Sequence, residues 1–162
     1  MEDIHIQAAQ EHDVRDIVRI MEPYVAQRVL LARSPEDIRA HLGNFMVARM
    51  EETLVGCVAL RDYGDGLQEI RSLVVAAEFT GRRIGSLLVQ AALKLAAQRH
   101  ANTVFTLTLR PRFFQRMGFA VAAIADFPLK VQDDCQACPK RTACDETALK
   151  LTLTPTMDTP HA

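Results

Sequence analysis

No apolar run in this 162-residue chain is long enough to span a bilayer, so no membrane passage is expected. Neither sign of charge dominates. Nineteen Lys and Arg stand against 20 Asp and Glu, for a net charge of −1. That balance gives no general reason to bind nucleic acid or an anionic membrane, and it confines any anion site to a local patch. The opening stretch "MEDIHIQAAQEHD" is acidic and lacks an apolar h-region, unlike an export signal. The four cysteines are therefore expected as reduced thiols in a cytoplasmic protein. Internal repeats and linkers are missing as well, which predicts a single domain over 1–153 with a flexible tail at 154–162. The histidines at 5, 12, 41, 100 and 161 show neither metal nor catalytic spacing. Both common nucleotide loops, G-x-G-x-x-G and G-x-x-x-x-G-K-[ST], are absent.

What is present is a clear alternation of periods. Ile4, Ile6 and Ala8 predict a first strand, and Val14, Ile17, Val18 and Met21 a helix with Asp13 in its first turn. Ser34 reads as an N-cap with Pro35 at the first helical position, and Gly43 as the stop. "FMVARMEETLVGCVAL" predicts two strands around Glu51 and Glu52, and "LQEIRSLVVA" a third. Ile84, Leu87, Leu88, Ala91 and Leu95 form one stripe of a long helix. "NTVFTLTL" is a strand, "RFFQRMGF" a short helix, and "FAVAAIADF" and "TALKLTL" two last strands. The order β-α-α-β-β-β-α-β-α-β-β predicts an α/β chain with a mixed sheet and helices on both faces.

Between the third of those hairpin strands and the long helix lies "LVVAAEFTGRRIGSLLVQ", residues 73–90. Amides at a helix start lack intrahelical partners, the macrodipole adds positive potential, and glycine permits close approach. Gly81 and Gly85 beside Arg82 and Arg83 thus have the ingredients of a phosphate site. The bland reading is a tight βα turn with solvated arginines. Together with "VGCVAL", "EIRSLVV" and "VFTLTLRPRFFQRMGF", this turn resembles the GNAT superfamily of acyl-CoA N-acyltransferases. The resemblance implies a mixed, mostly antiparallel sheet of about seven strands and acetyl-CoA as co-substrate, with no metal needed for the reaction. It assigns pantetheine contacts to Leu73, Val74 and Val75, and phosphate contacts to Gly81, Arg82, Arg83, Ile84, Gly85 and Ser86. Thr80 replaces the family's Arg or Gln. Arg83 replaces its first motif glycine and is expected at an ordinary φ.

"LLARS", "GCVAL", "EIRSLVV", "LTLRPRFF" and "FPLKVQDDCQACPKRTACDE" occur in the order found in short, single-domain N-acetyltransferases of the N-acetylglutamate synthase branch. That resemblance implies L-glutamate as acceptor, in arginine biosynthesis. A dicarboxylate needs at least two cationic or amide donors, and arginine provides a fixed bidentate fork. Arg33 is the first candidate, followed by Arg71 and Lys130. Glu69 is the general base by family position, and by alternation shares a face with Arg71 and Leu73. Its bland reading is a strand-end carboxylate paired with Arg71 or Arg61. The only tyrosines, Tyr24 and Tyr63, are far in sequence from "RPRFFQRMGF", where many relatives carry an acid. Thr108 or a water is left to protonate the leaving thiolate, and an N–H near Val74 to meet the oxyanion. Another amine acceptor, or an acyl-CoA sensor without turnover, stays open, as does a homodimer.

Cys135, Cys138 and Cys144 make C-x₂-C-x₅-C without a nearby histidine to complete a tetrahedral zinc site, so metal binding competes with plain thiols packing a loop. Cys57 reads as a small core residue.

Overall fold

The structure is a computed structural model and describes residues 3–127 and 146–153. Its strands are β1 (Ile4–Ala8), β2 (Phe45–Met50), β3 (Thr53–Gly64), β4 (Leu67–Val75), β5 (Thr103–Thr108), β6 (Ala120–Ala122) and β7 (Thr147–Thr152). Its helices are α1 (Val14–Ala26), α2 (Pro35–Ala40), α3 (Ile84–Gln98) and α4 (Pro111–Arg116). The element order is the one read from sequence. The strands pair as β1-β2-β3-β4-β5-β7-β6. β4 and β5 run parallel, whereas the β1–β2, β2–β3, β5–β7 and β6–β7 pairs are antiparallel. "FAVAAIADF" supplies only a three-residue strand followed by a short turn of 3-10 helix at Ile124–Asp126.

The chain divides into two compact units, one of residues up to Arg61 with Ile70–Leu93, the other of Asp62–Glu69 with Lys94 onward. In the first unit, α1 and α2 cover one face of the sheet. Ile17, Ile20, Met21 and Ile38 pack with Val47, Leu54, Cys57, Ala59 and Val74. Leu54 joins the odd-numbered Cys57 and Ala59 because the β2–β3 register slips between Ala48 and Arg49, where Ala48 faces Gly56 and Arg49 faces Leu54. The extra residue, Val55, shifts the two-residue period by one.

α3 covers the opposite face. Gly56 must be glycine there: a Cβ would lie 2.9 Å from the Leu88 Cδ1 and the Val74 carbonyl, and 3.2 Å from the Ile84 Cγ2. The buried stripe of α3 is Ile84, Leu88, Ala92 and Ala96, with Val89 beside it; of the stripe read from sequence Ile84 and Leu88 are buried, Ala91 and Leu95 are half-buried, and Leu87 is exposed. A helix rich in Leu and Ala all round offers more than one apolar stripe, and contact with Gly56 selects among them.

Ser34 caps α2, its Oγ accepting from the Asp37 amide at 3.0 Å with Pro35 at the first helical position. Asp13 is fully buried ahead of α1, pairs with the Arg49 guanidinium and accepts from the Gln10 amide at 2.8 Å. In the second unit, Phe105, Phe127 and Ala148 form the centre of a smaller core.

Candidate active site

The glycine-arginine turn begins where β4 ends. The Ala76 amide donates to the Val55 carbonyl at 2.8 Å, and Thr80 Oγ1 donates to the Ala77 carbonyl at 3.2 Å. Thr80 therefore finishes the turn instead of offering the side-chain contact its family counterpart would. Gly81 has φ 82°, and a Cβ there would meet nothing within 4 Å, so its backbone lies open. Arg82 is exposed and places its guanidinium 5.3 Å from the centre of the Phe79 ring. Arg83 departs from expectation. Its φ is 64°, in the left-handed region, so it adopts the conformation of the glycine it replaces. The reason is geometric: the chain must reverse from Thr80 into a helix starting at Ile84, and that reversal is the same whichever side chain stands there.

At a helix start the first amides have no partner within the helix; here the Leu87 amide donates to the Arg83 carbonyl at 3.1 Å. Gly85 and Ser86 are half-buried. An open Gly81 backbone, two exposed arginines and the start of a 15-residue helix, whose first amides lack intrahelical partners, fit a diphosphate.

The upstream edge of β4 is set by one residue. Ser72 has φ 53°, which interrupts the alternation that would carry Leu73 onto the face of Glu69 and Arg71. Beyond it, main-chain groups alternate in direction. The Cys57 thiol donates to the Ser72 carbonyl at 3.4 Å, and the Val74 amide bonds the Cys57 sulfur. With the Ala76 amide on Val55, these fix the even residues toward β3. Val74 thus spends its N–H on Cys57, and Leu73 and Val75 are the residues that turn theirs to the other edge. The described ladder with β5 covers only Leu67–Glu69. The Val75 carbonyl accepts 2.7 Å from the Tyr24 hydroxyl. Burial pushes the Cys57 thiol up to about 12, opposed by the Val74 amide.

Also in the first unit is a cavity of 260 Å³ lined by Arg33, Arg61 and Arg71 with Asp37, His41, Asn44, Phe45, Ala59, Leu60 and Ser72. Two predicted substrate residues, Arg33 and Arg71, are brought together here, and Arg61 joins them. Arg33 lies 3.9 Å from Asp37, and His41 Nδ1 3.3 Å from the same carboxylate. Among the described lining residues, three arginines stand with one carboxylate, that of Asp37. Arg61 went unrecognised as a lining residue because its place depends on β3 and β4 lying side by side, which spacing along the chain does not reveal.

Glu69 belongs to the second unit and is 2% exposed. Its Oε1 accepts from the Tyr63 hydroxyl at 2.9 Å, and in the parallel ladder it stands opposite Phe105. Thr108 is three positions beyond Phe105 on an unbroken strand, so its side chain points to the other face. Its Oγ1 accepts from the Arg110 amide at 2.9 Å, just before α4. The structure does not bring Thr108 and Glu69 together. Lys130, Cys135, Cys138 and Cys144 lie outside the described residues. Among the described residues no group of three His, Cys, Asp or Glu could hold a metal, and no helix is long and apolar enough to cross a membrane.

Comparison with known proteins supplies the frame for this geometry. The family described as "Acetyltransferase (GNAT) domain" matches residues 41–121, half of the chain. An uncharacterized N-acetyltransferase of Chlorobaculum tepidum is 42% identical over 93% of this chain and 97% of its own. An amino-acid acetyltransferase of Mannheimia succiniciproducens is 28% identical over 82% of this chain, which spans only 30% of that longer protein. Among solved structures, N-acetylglutamate synthase of Neisseria gonorrhoeae, complexed with coenzyme A and N-acetyl-glutamate, superposes with a TM-score of 0.85 at 23% identity. That match covers 94% of this chain and 35% of the synthase. A Mycobacterium tuberculosis protein solved with coenzyme A gives a TM-score of 0.79 at 24% identity over 93% and 99% of the two chains.

Proposed function

The chain belongs to the GNAT acetyltransferase family and is an acetyl-CoA-dependent N-acetyltransferase, and from that premise we propose that its acceptor is the α-amine of L-glutamate. The observation that carries the reading is the cavity in which Arg33, Arg61 and Arg71 converge. Guanidinium groups bind carboxylates in bidentate fashion and repel ammonium groups, so this lining favours a dicarboxylic amino acid over a polyamine. The relatives named amino-acid acetyltransferase, and the synthase complexed with N-acetyl-glutamate, support the same class, although this chain spans under two-fifths of each. Production of N-acetylglutamate would place the reaction in arginine biosynthesis.

In this reading the amides of 81–86, with Arg82 and Arg83, hold the diphosphate of the co-substrate. Leu73 and Val75 offer main-chain groups to its pantetheine arm, beside Val74. Bound acetyl-CoA supplies an activated thioester carbonyl. Glu69 accepts a proton from the glutamate ammonium, directly or through one water, and so frees the nitrogen lone pair. An N–H on the open side of β4, from Leu73 or Val75, opposes the charge that builds on the carbonyl oxygen. A coenzyme thiol has a pKa near 8.5 by analogy with cysteine and leaves with little help. Thr108 keeps a hydroxyl proton but faces away from Glu69, so a water is the better relay: it takes the second proton that the nitrogen sheds as the amide forms and gives one to the leaving thiolate. Lys130 remains a proposed further carboxylate contact.

The test is a screen of the twenty amino acids with acetyl-CoA, read by thiol release. Glutamate should give the highest kcat/KM. A preference for glutamine or for a basic amino acid would overturn the assignment of the acceptor while leaving the acetyltransferase intact.

A further inference from the structure

Glu69 is one of the most buried polar residues among the described residues, at 2% exposed. A buried carboxylate ionises at neutral pH only if donors replace the water it has lost. The Tyr63 hydroxyl, 2.9 Å from Oε1, is such a donor, and its placement is built rather than incidental. Tyr63 lies near the end of β3, and the turn that follows runs through Gly64, Asp65 and Gly66 at φ 87°, 53° and 79°. The Asp62 carboxylate pins that turn by accepting from the Gly64 amide at 2.8 Å. The Tyr63 ring is 5.7 Å from Phe105, which stacks at 4.0 Å on Phe127. Phe105 is also the register partner of Glu69. One aromatic thus fixes both the ring and the strand position that its hydroxyl serves.

We propose that Tyr63 is a positioning residue for catalysis: its hydroxyl fixes the Glu69 carboxylate through Oε1 and keeps it ionised to receive the acceptor's proton. The inference rests on the reading of Glu69 as general base. A phenol with an ordinary pKa near 10 keeps its own proton through the neutral range, so it donates to the carboxylate without competing for the proton the carboxylate takes. That proton moves from the substrate ammonium to Glu69, and from Glu69 to solvent after the amide has formed. Tyr63 gains and loses nothing in the cycle.

The experiment is a ¹³C NMR titration of the Glu69 side-chain carboxylate in the wild-type chain and in Tyr63→Phe, alongside their kcat/KM profiles against pH. Phenylalanine keeps the ring packing and removes only the donor. The Glu69 midpoint and the acid limb should both move up by about one pH unit, with kcat at pH 7 reduced about three- to tenfold and the KM for acetyl-CoA unchanged. Replacing Tyr63 with 3-fluorotyrosine, a stronger donor, should move the midpoint down. An unmoved midpoint in both variants overturns the role of Tyr63. A moved midpoint with an unmoved acid limb, and full activity in Glu69→Gln, instead removes Glu69 as base, and the catalytic role of Tyr63 falls with it.

Discussion

The hydroxyl of Tyr24, in the last turn of α1, donates a 2.7 Å hydrogen bond to the carbonyl of Val75, 51 positions later at the end of β4. It anchors the first helix to the strand that leads into the phosphate turn. Tyr24→Phe keeps the ring and loses this bond, and should lower unfolding stability by about 1 kcal/mol in urea titration. A midpoint identical to wild type would show that water replaces the bond without loss.

Arg83 at φ 64° makes a prediction of opposite sign for two substitutions. Arg83→Gly relieves a left-handed penalty of about 1–2 kcal/mol against a glycine entropy cost of roughly 0.5–1 kcal/mol, so stability should hold or rise slightly. Arg83→Val puts a β-branched residue in the same region and should destabilise. Thermal melts that rank valine above glycine would contradict the turn geometry. A fall in coenzyme A affinity in the glycine variant at undiminished stability would assign the lost charge to a phosphate.

Arg33→Ala should raise the KM for glutamate by about tenfold or more, as expected for a lost charge-assisted pair, and leave that for acetyl-CoA nearly unchanged. Steady-state kinetics with each substrate varied in turn reads both. The reverse pattern would put the acceptor elsewhere than the arginine-lined cavity.

Cys57, with its thiol pushed up to about 12 from an ordinary 9.0, links folding to alkaline pH. In the unfolded chain the thiol ionises near its ordinary value, and in the folded chain it does not. The stabilisation is therefore whole below pH 9.0 and is lost as pH rises toward about 12, by up to about 1.4 kcal/mol for each pH unit. Cys57→Ala should flatten this part of the stability curve relative to wild type. The native thiol should also resist alkylation at pH 8 until the chain is unfolded; rapid labelling of folded protein would contradict its burial.

Much of the fold was legible because its signals are local. Ser34 and Pro35 announce α2, and the apolar alternation of β1 and the long run of α3 survive any packing. The face that α3 buries was legible only in part: Ile84 and Leu88 were on the stripe read from sequence, but so was Leu87, which is as apolar as Leu88 and is set apart from it only by packing on Gly56. Both tyrosines were set aside for their distance in sequence, yet one meets β4 and the other Glu69. The arginine cluster was visible in part: Arg33 with the support of family likeness, Arg71 as a weaker candidate, and Arg61 only as an ion-pair partner for Glu69.

The amino-acid order alone determined the succession of strands and helices, the glycine-arginine turn and the family it resembles, because each depends on residues within a few positions of one another. Tertiary structure decided the left-handed Arg83, the shift at Ser72 that turns Leu73 and Val75 to the edge away from β3, and the pairing of Tyr63 with Glu69. Those features depend on where neighbouring strands force the backbone to go, and no local pattern encodes that.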